Sequence, residues 1–138
     1  MNKKYIKYIE YIVSDIQKPY FKNMEDHYGL TPDEYELVLS KVFNQPVTIK
    51  RRYVYDINGN EIYFEKSDGY WYKKEYGDNG NVFYYENSDG EWGKYEYDTN
   101  GNNIYYEDSD GYWVKQGYNQ NNNRTYYENS DGIINDNR

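Results

Sequence analysis

The sequence contains no cysteine and has one histidine, His27, among its 138 residues. Without cysteine the chain has no disulfide, no thiol nucleophile and no thiolate metal ligand. A catalytic histidine needs positioned partners, and no nucleophile motif accompanies His27. We therefore expect that the protein is not an enzyme and uses no cofactor, and that His27 is a surface residue or part of a connection between helices.

Long apolar runs are also missing. No segment approaches the roughly 20 apolar residues that a membrane-spanning helix needs. Charged residues at Lys7, Glu10 and Asp15 interrupt the first segment, so residues 1–16 lack the apolar centre of a signal peptide. The chain has no alanine and is rich in Asn, Lys, Ile and Tyr, which is typical of AT-rich bacterial or phage genomes. The sequence thus predicts a cytoplasmic protein of a bacterial host, without a membrane partner.

Negative charge is abundant and unevenly placed. The net charge is -8. Residues 1–52 carry nine basic and seven acidic side chains (+2), whereas residues 53–138 carry seven basic and 17 acidic ones (−10). Such a field repels nucleic acid and anionic membranes and attracts basic protein surfaces.

Two amphipathic helices are predicted in residues 1–47, which we interpret as an N-terminal cap. The first covers residues 3–18 and ends before Pro19. The second begins at the capping box formed by Thr31 and Glu34 and runs to about Phe43. We expect their apolar stripes to pack into a core: Tyr5, Ile9, Ile12, Val13 and Ile16 in the first, and Tyr35, Val38, Leu39, Val42 and Phe43 in the second.

A 21-residue repeat organises the rest of the chain. Asp-Gly pairs recur at 68–69, 89–90, 110–111 and 131–132, and Asn-Gly pairs at 58–59, 79–80 and 100–101. Both pairs favour two-residue hairpin turns with positive φ at both central residues, and the segments between them are rich in Tyr, Trp and Ile, which suits strands. The predicted fold is α+β: two helices and an antiparallel hairpin meander of about seven or eight strands over residues 48–138, in one compact domain. A single-layer sheet, a stacked hairpin array and a closed sheet all fit the pattern.

Strand alternation places aromatic and charged side chains in rows. On strands leading to Asp-Gly turns, a tyrosine precedes a glutamate by two residues. On the returning strands, a tryptophan precedes a lysine by two residues. The candidate partner-binding residues are Glu65, Glu86, Glu107, Glu128, Tyr63, Tyr84, Tyr105, Trp71, Trp92 and Trp113.

The repeat resembles two known classes of hairpin. Residues 55–60 (Tyr-Asp-Ile-Asn-Gly-Asn) and 97–102 resemble the YD-repeat of large shell-forming bacterial toxins. Residues 84–90 (Tyr-Tyr-Glu-Asn-Ser-Asp-Gly) resemble the tyrosine-rich hairpins of cell-wall- and choline-binding repeats, although the Gly-Trp pair that opens the choline-binding unit is missing. The combination is also similar to small Tyr-rich tandem-repeat proteins of bacteria and phages. These resemblances imply a hairpin array over residues 53–134.

Oxygen-bearing side chains at alternate turn positions raise the alternative of a calcium site. Their spacing is similar to the first half of an EF-hand loop. However, the glycine is displaced and the closing glutamate is absent, and hairpin turns use the same residues. The calcium candidates are Asp56, Asn58, Asn60, Asp98, Asn100 and Asn102.

A broad acidic, Tyr-rich surface favours a non-catalytic protein-binding module, because Tyr and Trp are frequent hot-spot residues and acidic fields steer toward basic partners. The concrete hypothesis is a phage-encoded nucleic-acid mimic, an anti-CRISPR or anti-restriction inhibitor that binds the basic surface of a nucleic-acid-binding enzyme and not nucleic acid itself. Two alternatives stay open: carbohydrate or cell-wall binding through the tryptophans, and a purely structural repeat. Exposed sheet edges would also allow a homodimer through a sheet edge or face.

Overall fold

The structure is a computed structural model that describes residues 3–138. Within them, the helical segments are α1 (Lys3–Asp15), α2 (Tyr20–Asn23) followed directly by the π-helical turn Met24–Tyr28, and α3 (Pro32–Val42). The strands are β1 (Thr48–Lys50), β2 (Tyr53–Tyr55), β3 (Glu61–Glu65), β4 (Trp71–Tyr76), β5 (Val82–Asn87), β6 (Trp92–Tyr97), β7 (Asn103–Asp108), β8 (Trp113–Tyr118), β9 (Arg124–Asn129) and β10 (Ile134–Asp136). The strands follow each other in sequence order in an antiparallel meander. The chain divides into two compact units, Met1–Tyr72 (unit 1) and Lys73–Arg138 (unit 2).

The two predicted helices are present and bury the expected faces. Ile9 and Ile12 of α1 are fully buried, as are Val38 and Leu39 of α3. The predicted capping box begins α3: the carboxylate of Glu34 accepts the Thr31 backbone N–H at 3.0 Å. None of the helices described in residues 3–138 is long and apolar enough to cross a membrane.

The helical segment from Tyr20 to Tyr28 was not predicted, because a four-residue helix with a π-helical turn has too few turns to show a helical period. Its start is held by a distant carboxylate, that of Glu65. The N–H groups of Phe21 and Lys22 donate to Glu65 Oε1 and Oε2 at 2.9 and 2.7 Å. Tyr63 donates its hydroxyl to the same carboxylate at 2.6 Å, and Arg52 Nη1 donates to it at 3.4 Å.

The meander confirms the α+β class, but the prediction of seven or eight strands is wrong, since residues 3–138 hold ten. One reason is the β1–β2 hairpin, which turns at Arg51 with φ 57°. A non-glycine residue in this conformation is uncommon, so a search for Gly-containing turns misses it. Strand β10 adds another pairing after the last Asp-Gly turn, with Ile134 opposite Glu128.

The glycine turns also differ from the predicted two-residue type. Positive φ falls on the glycine, as at Gly59 (81°) and Gly90 (84°), and not on the Asn or Asp before it. Gly59 N donates to Asp56 O at 3.1 Å, and Asp56 N donates to Asn60 O at 2.9 Å. This is the three-residue hairpin loop, in which a type I turn is followed by a left-handed residue that glycine adopts easily.

The two units differ in how much they bury. The buried hydrophobic residues found between residues 3 and 138 all lie in unit 1, from Ile9 to Tyr63. In unit 2 every helix or strand described is a strand, so its sheet is a single open layer. Its buried residues are Asn87, Gly93 and Asn129, and most of its aromatic side chains are half-buried.

Replacing Glu65 with glutamine should destabilise unit 1 by about 2–4 kcal/mol, because donors that meet the carboxylate would then face an amide NH2 group. Urea unfolding followed by circular dichroism at 222 nm measures this, since the helices described lie in unit 1. The matched control is Glu86→Gln, at the same position of the next repeat, where we expect a change within about 0.5 kcal/mol. Equal free energies of unfolding for the two variants would show that the buried carboxylate does not support the fold.

Candidate protein-binding surface

The strand register places the predicted aromatic and charged residues on one face of the unit 2 sheet. Between β5 and β6, Tyr84 lies opposite Lys94, and Glu86 lies opposite Trp92. Cross-strand partners project to the same side, and the β7–β8 hairpin repeats the arrangement. We call this surface the ladder face: Tyr84, Glu86, Trp92, Lys94, Tyr105, Glu107, Trp113, Lys115, Tyr126 and Glu128.

Each tyrosine of the ladder face donates its hydroxyl to the glutamate two residues further on. The donor–acceptor distances are 3.3 Å for Tyr84 and Glu86, 3.4 Å for Tyr105 and Glu107, and 2.5 Å for Tyr126 and Glu128. Burial raises the pKa of Tyr84, and the neighbouring Glu86 carboxylate adds to the shift. At Tyr126 the hydrogen bond to Glu128 is the main cause of the raised pKa. These phenols therefore remain protonated donors at neutral pH.

Lysines are interleaved with the glutamates, so the ladder face is not strongly acidic. Lys94 Nζ lies 5.1 Å from the ring centroid of Trp92, and Lys115 Nζ lies at the same distance from Trp113. Across the β6–β7 pair, Lys94 is opposite Glu107. The ten residues of the ladder face include three glutamates and two lysines, so they carry little of the acidic excess of unit 2.

The acidic excess of unit 2 is concentrated at the Asp-Gly turns. Unit 2 has 13 acidic and six basic residues, a net charge of −7. Successive Asp-Gly turns in the meander are two strands apart, or about 10 Å. We call the strand ends at these turns the Asp-Gly end, with the carboxylates Asp89, Glu91, Asp108, Asp110 and Asp131.

The first copy of the Tyr–Glu–Trp motif lies in unit 1 and is covered. Tyr63 and Glu65 have a relative exposure of 0%, and the ring of Trp71 stacks on Tyr63 with centroids 6.2 Å apart. Tyr63 and Glu65 thus belong to the core of unit 1 and offer no exposed binding surface. The sequence signal for this difference is only that the first repeat directly follows the helical segment.

The single histidine lies in the π-helical turn and is exposed. Beside it, the Tyr28 hydroxyl donates to Asp15 at 2.5 Å, and this bond raises the pKa of Tyr28 to about 12. The bond ties the end of α1 to the π-helical turn, which is a structural role for both side chains.

The side chains with calcium-like spacing serve as acceptors and donors within the turns. Asp98 Oδ1 accepts the N–H groups of Asn100 and Asn102, both at 2.9 Å. Burial acts to raise the pKa of Asp98, but these hydrogen bonds outweigh it and hold the pKa below its ordinary value. The first turn repeats the pattern with Asp56, Asn58 and Asn60. Between residues 3 and 138, no group of three or more His, Cys, Asp or Glu side chains could hold a metal ion.

Asp98→Asn should lower the melting temperature only slightly, because an amide oxygen can still accept the two turn N–H groups, as that of Asn87 accepts Asp89 N at 3.0 Å, whereas the Asn102 side-chain amide loses its acceptor. Asp98→Ala should lower the melting temperature, because the N–H groups of Asn100 and Asn102 lose their acceptor. Thermal unfolding with calcium chloride and then with a chelator tests both variants. A calcium-dependent rise that Asp98→Asn abolishes would contradict a purely structural role for these turns.

Comparison with known proteins adds no identity. No protein-family model matches the chain, and no curated protein sequence matches it. The resemblance to tyrosine-rich hairpin repeats therefore stays a prediction.

Proposed function

We propose that the chain is a non-catalytic protein-binding module that binds a basic protein partner through unit 2. The observation that carries this proposal is the ladder face, where half-exposed Tyr and Trp rings alternate with charged groups on a single-layer sheet. Tyr and Trp provide large contact areas at low cost in conformational entropy, and they dominate the energetics of many interfaces.

The side chains of the ladder face are held in place by one another. The Tyr105 hydroxyl bonds to Glu107, Lys115 lies over Trp113, and Lys73 Nζ bridges Glu75 and Glu86 at 3.5 Å each. Ordering long side chains upon binding costs conformational entropy. A surface whose contacts already exist before binding loses less conformational entropy when the partner binds.

In its concrete form, the partner is a nucleic-acid-binding enzyme with a basic channel, and the chain is an inhibitor of the anti-CRISPR or anti-restriction type that acts in the cytoplasm of a bacterial host. The net charge of −7 in unit 2 supports this, as does the row of carboxylates at the Asp-Gly end. Acidic fields accelerate association with basic surfaces and repel competing nucleic acid.

Carbohydrate binding has less support from the geometry. Sugar rings stack on open aromatic faces, but the Nζ atoms of Lys94 and Lys115 already lie over Trp92 and Trp113. A sugar would have to displace a cation from each ring.

The triple variant Asp89→Asn, Asp110→Asn and Asp131→Asn should reduce the affinity for the partner about tenfold, because each lost charge contact of this kind is worth about 0.2–1 kcal/mol. The fold should be unaffected, since Asn-Gly already serves in the turns at the other strand ends, as at Asn100 and Gly101. Immobilised wild-type and variant chains are exposed to bacterial lysate at low and high salt. Nucleases recovered from the wild-type chain are then titrated with each chain in a DNA-cleavage assay.

We expect wild-type capture and inhibition to weaken steeply with salt, and the variant to show a smaller salt dependence. Equal inhibition by the wild type and the triple variant at all salt concentrations would contradict charge mimicry. If instead the chain is retained on cell-wall material, and Trp92→Ala with Trp113→Ala removes that retention while the Asn variant keeps it, the carbohydrate alternative is correct.

A further inference from the structure

The first copy of the Tyr–Glu–Trp motif shows what this arrangement can bind, because a segment of the chain itself occupies it. Residues Tyr20, Phe21 and Lys22 present three consecutive backbone N–H groups. The first donates to the Tyr63 hydroxyl at 3.3 Å, and the other two donate to the Glu65 carboxylate at 2.9 and 2.7 Å. The Tyr63 hydroxyl in turn donates to Glu65. Tyrosine and glutamate thus act together as one acceptor site for the start of a helical turn.

The side chains of the same segment complete the contact. Lys18 Nζ lies 4.2 Å from the ring centroid of Trp71. The ring of Tyr20 packs on Tyr63 with centroids 5.2 Å apart, and that of Phe21 lies 6.3 Å from it. The occupant therefore contributes one cation, two aromatic rings and three N–H groups, within Lys18–Lys22.

Two further copies of the motif lie on the ladder face of unit 2, where their side chains are half-exposed. One consists of Tyr84, Glu86 and Trp92, and the other of Tyr105, Glu107 and Trp113; we call them the open sites. The relative exposure of the Glu86 side chain is 27%, whereas that of the Glu65 side chain is 0%. The Tyr-to-Glu hydrogen bond that forms the acceptor site is present in both open sites.

A lysine lies over the tryptophan in all three copies, but it comes from different places. In the open sites it is the lysine two residues after the tryptophan, such as Lys94 over Trp92 at 5.1 Å. In the occupied copy it is Lys18 of the docked segment, at 4.2 Å, and the corresponding Lys73 pairs with carboxylates instead. The tryptophan position thus takes a cation from an occupant when one is present.

The last Tyr–Glu pair shows the same preference for cations. The Arg138 guanidinium lies 4.1 Å from the ring centroid of Tyr126. Glu128 of that pair lies opposite Ile134, where the open sites have a tryptophan. A cationic group from another segment of the chain therefore contacts the first and the last member of the series, Lys18 in the first and Arg138 in the last.

We propose that each open site binds a partner segment with the chemistry of Lys18–Lys22: the first turn of a helix that presents free backbone N–H groups, an aromatic residue and a preceding lysine or arginine. This inference rests on the proposed protein-binding function and specifies which part of the partner is recognised. Carboxylate-to-N–H hydrogen bonds are charge-assisted and therefore strong, and a cation over a tryptophan ring adds an attraction of its own. The tryptophans as well as the acidic turns then contribute to the recognition of a basic partner.

The probe is a synthetic peptide of residues 17–28 of this chain, acetylated and amidated, titrated into the ¹⁵N-labelled full-length protein. We expect amide shift changes at both open sites. The variant Glu86→Gln with Glu107→Gln should bind the peptide at least tenfold more weakly. Glu10→Gln with Glu36→Gln is the matched control: it removes the same two charges at exposed helix positions outside the ladder face and should bind as the wild type does. The spectrum of each free variant verifies that it is folded.

Two altered peptides separate the contacts. Methylation of the backbone nitrogens at the positions of Phe21 and Lys22 removes the two donors to glutamate and should abolish binding. Replacing the lysine at the position of Lys18 with glutamate should weaken binding and remove the shift changes at the Trp92 and Trp113 indoles.

Equal binding to the wild type and to the Glu86→Gln, Glu107→Gln variant would overturn the inference. Shift changes confined to unit 1 would overturn it too, because the peptide would then only replace its own counterpart. No binding at millimolar peptide would have the same meaning. The proposed function is tested separately, since the Asp89, Asp110 and Asp131 variant leaves the open sites intact; partner capture without peptide binding would contradict this inference alone.

Discussion

The buried carboxylate of Glu65 is the contact on which unit 1 depends. A sheet with charged and aromatic groups on the same face offers no apolar surface for a helix to cover, so an element that packs there must satisfy a carboxylate. The start of α2 does this with the N–H groups of Phe21 and Lys22, helped by Tyr63 and Arg52. Burial raises the pKa of Glu65, and these donors oppose the shift. Once the carboxylate is satisfied, Tyr63 can be completely buried among aromatic side chains.

Among the described residues, unit 2 has no helix of its own, and its strands hold together through other contacts. Cross-strand pairs contribute only about 0.2–1 kcal/mol each, so the sheet needs many of them, and its turns must fix the register. The turns do so through side-chain oxygens such as that of Asn129, which accepts the N–H groups of Asp131 and Ile133. On the opposite face Tyr95 and Tyr106 pack with ring centroids 5.1 Å apart, next to the buried Gly93. The stability of this sheet thus comes from contacts within the layer.

The sequence predicts the regular parts of this structure and misses those that depend on distant residues. Helical periodicity finds α1 and α3, and the 21-residue spacing finds the meander and the face shared by Trp92 and Lys94. The burial of Glu65 has no local signal in the sequence. Its backbone donors belong to Phe21 and Lys22, which lie 44 and 43 positions away in the chain. The turn at Arg51 is missed because its residue type does not indicate the conformation. The charge balance of the ladder face is missed because it depends on which strands pair, which composition does not show.

The tethered occupant of the first repeat gives its tyrosine and glutamate a role different from that of the same residues in the repeats of unit 2. A segment on the same chain acts at an effective concentration that reaches the millimolar range for short flexible connections, and packing against Phe43 and Tyr35 holds this segment further. A free partner therefore competes poorly for the first copy, and the open sites are the ones left to it. They repeat two strands apart, about 10 Å, so a partner that presents two suitable segments would bind both with greater avidity than either contact alone allows. Repetition of the motif then serves binding as well as folding, because the copy that completes the core of unit 1 has the same chemistry as the copies that face solvent.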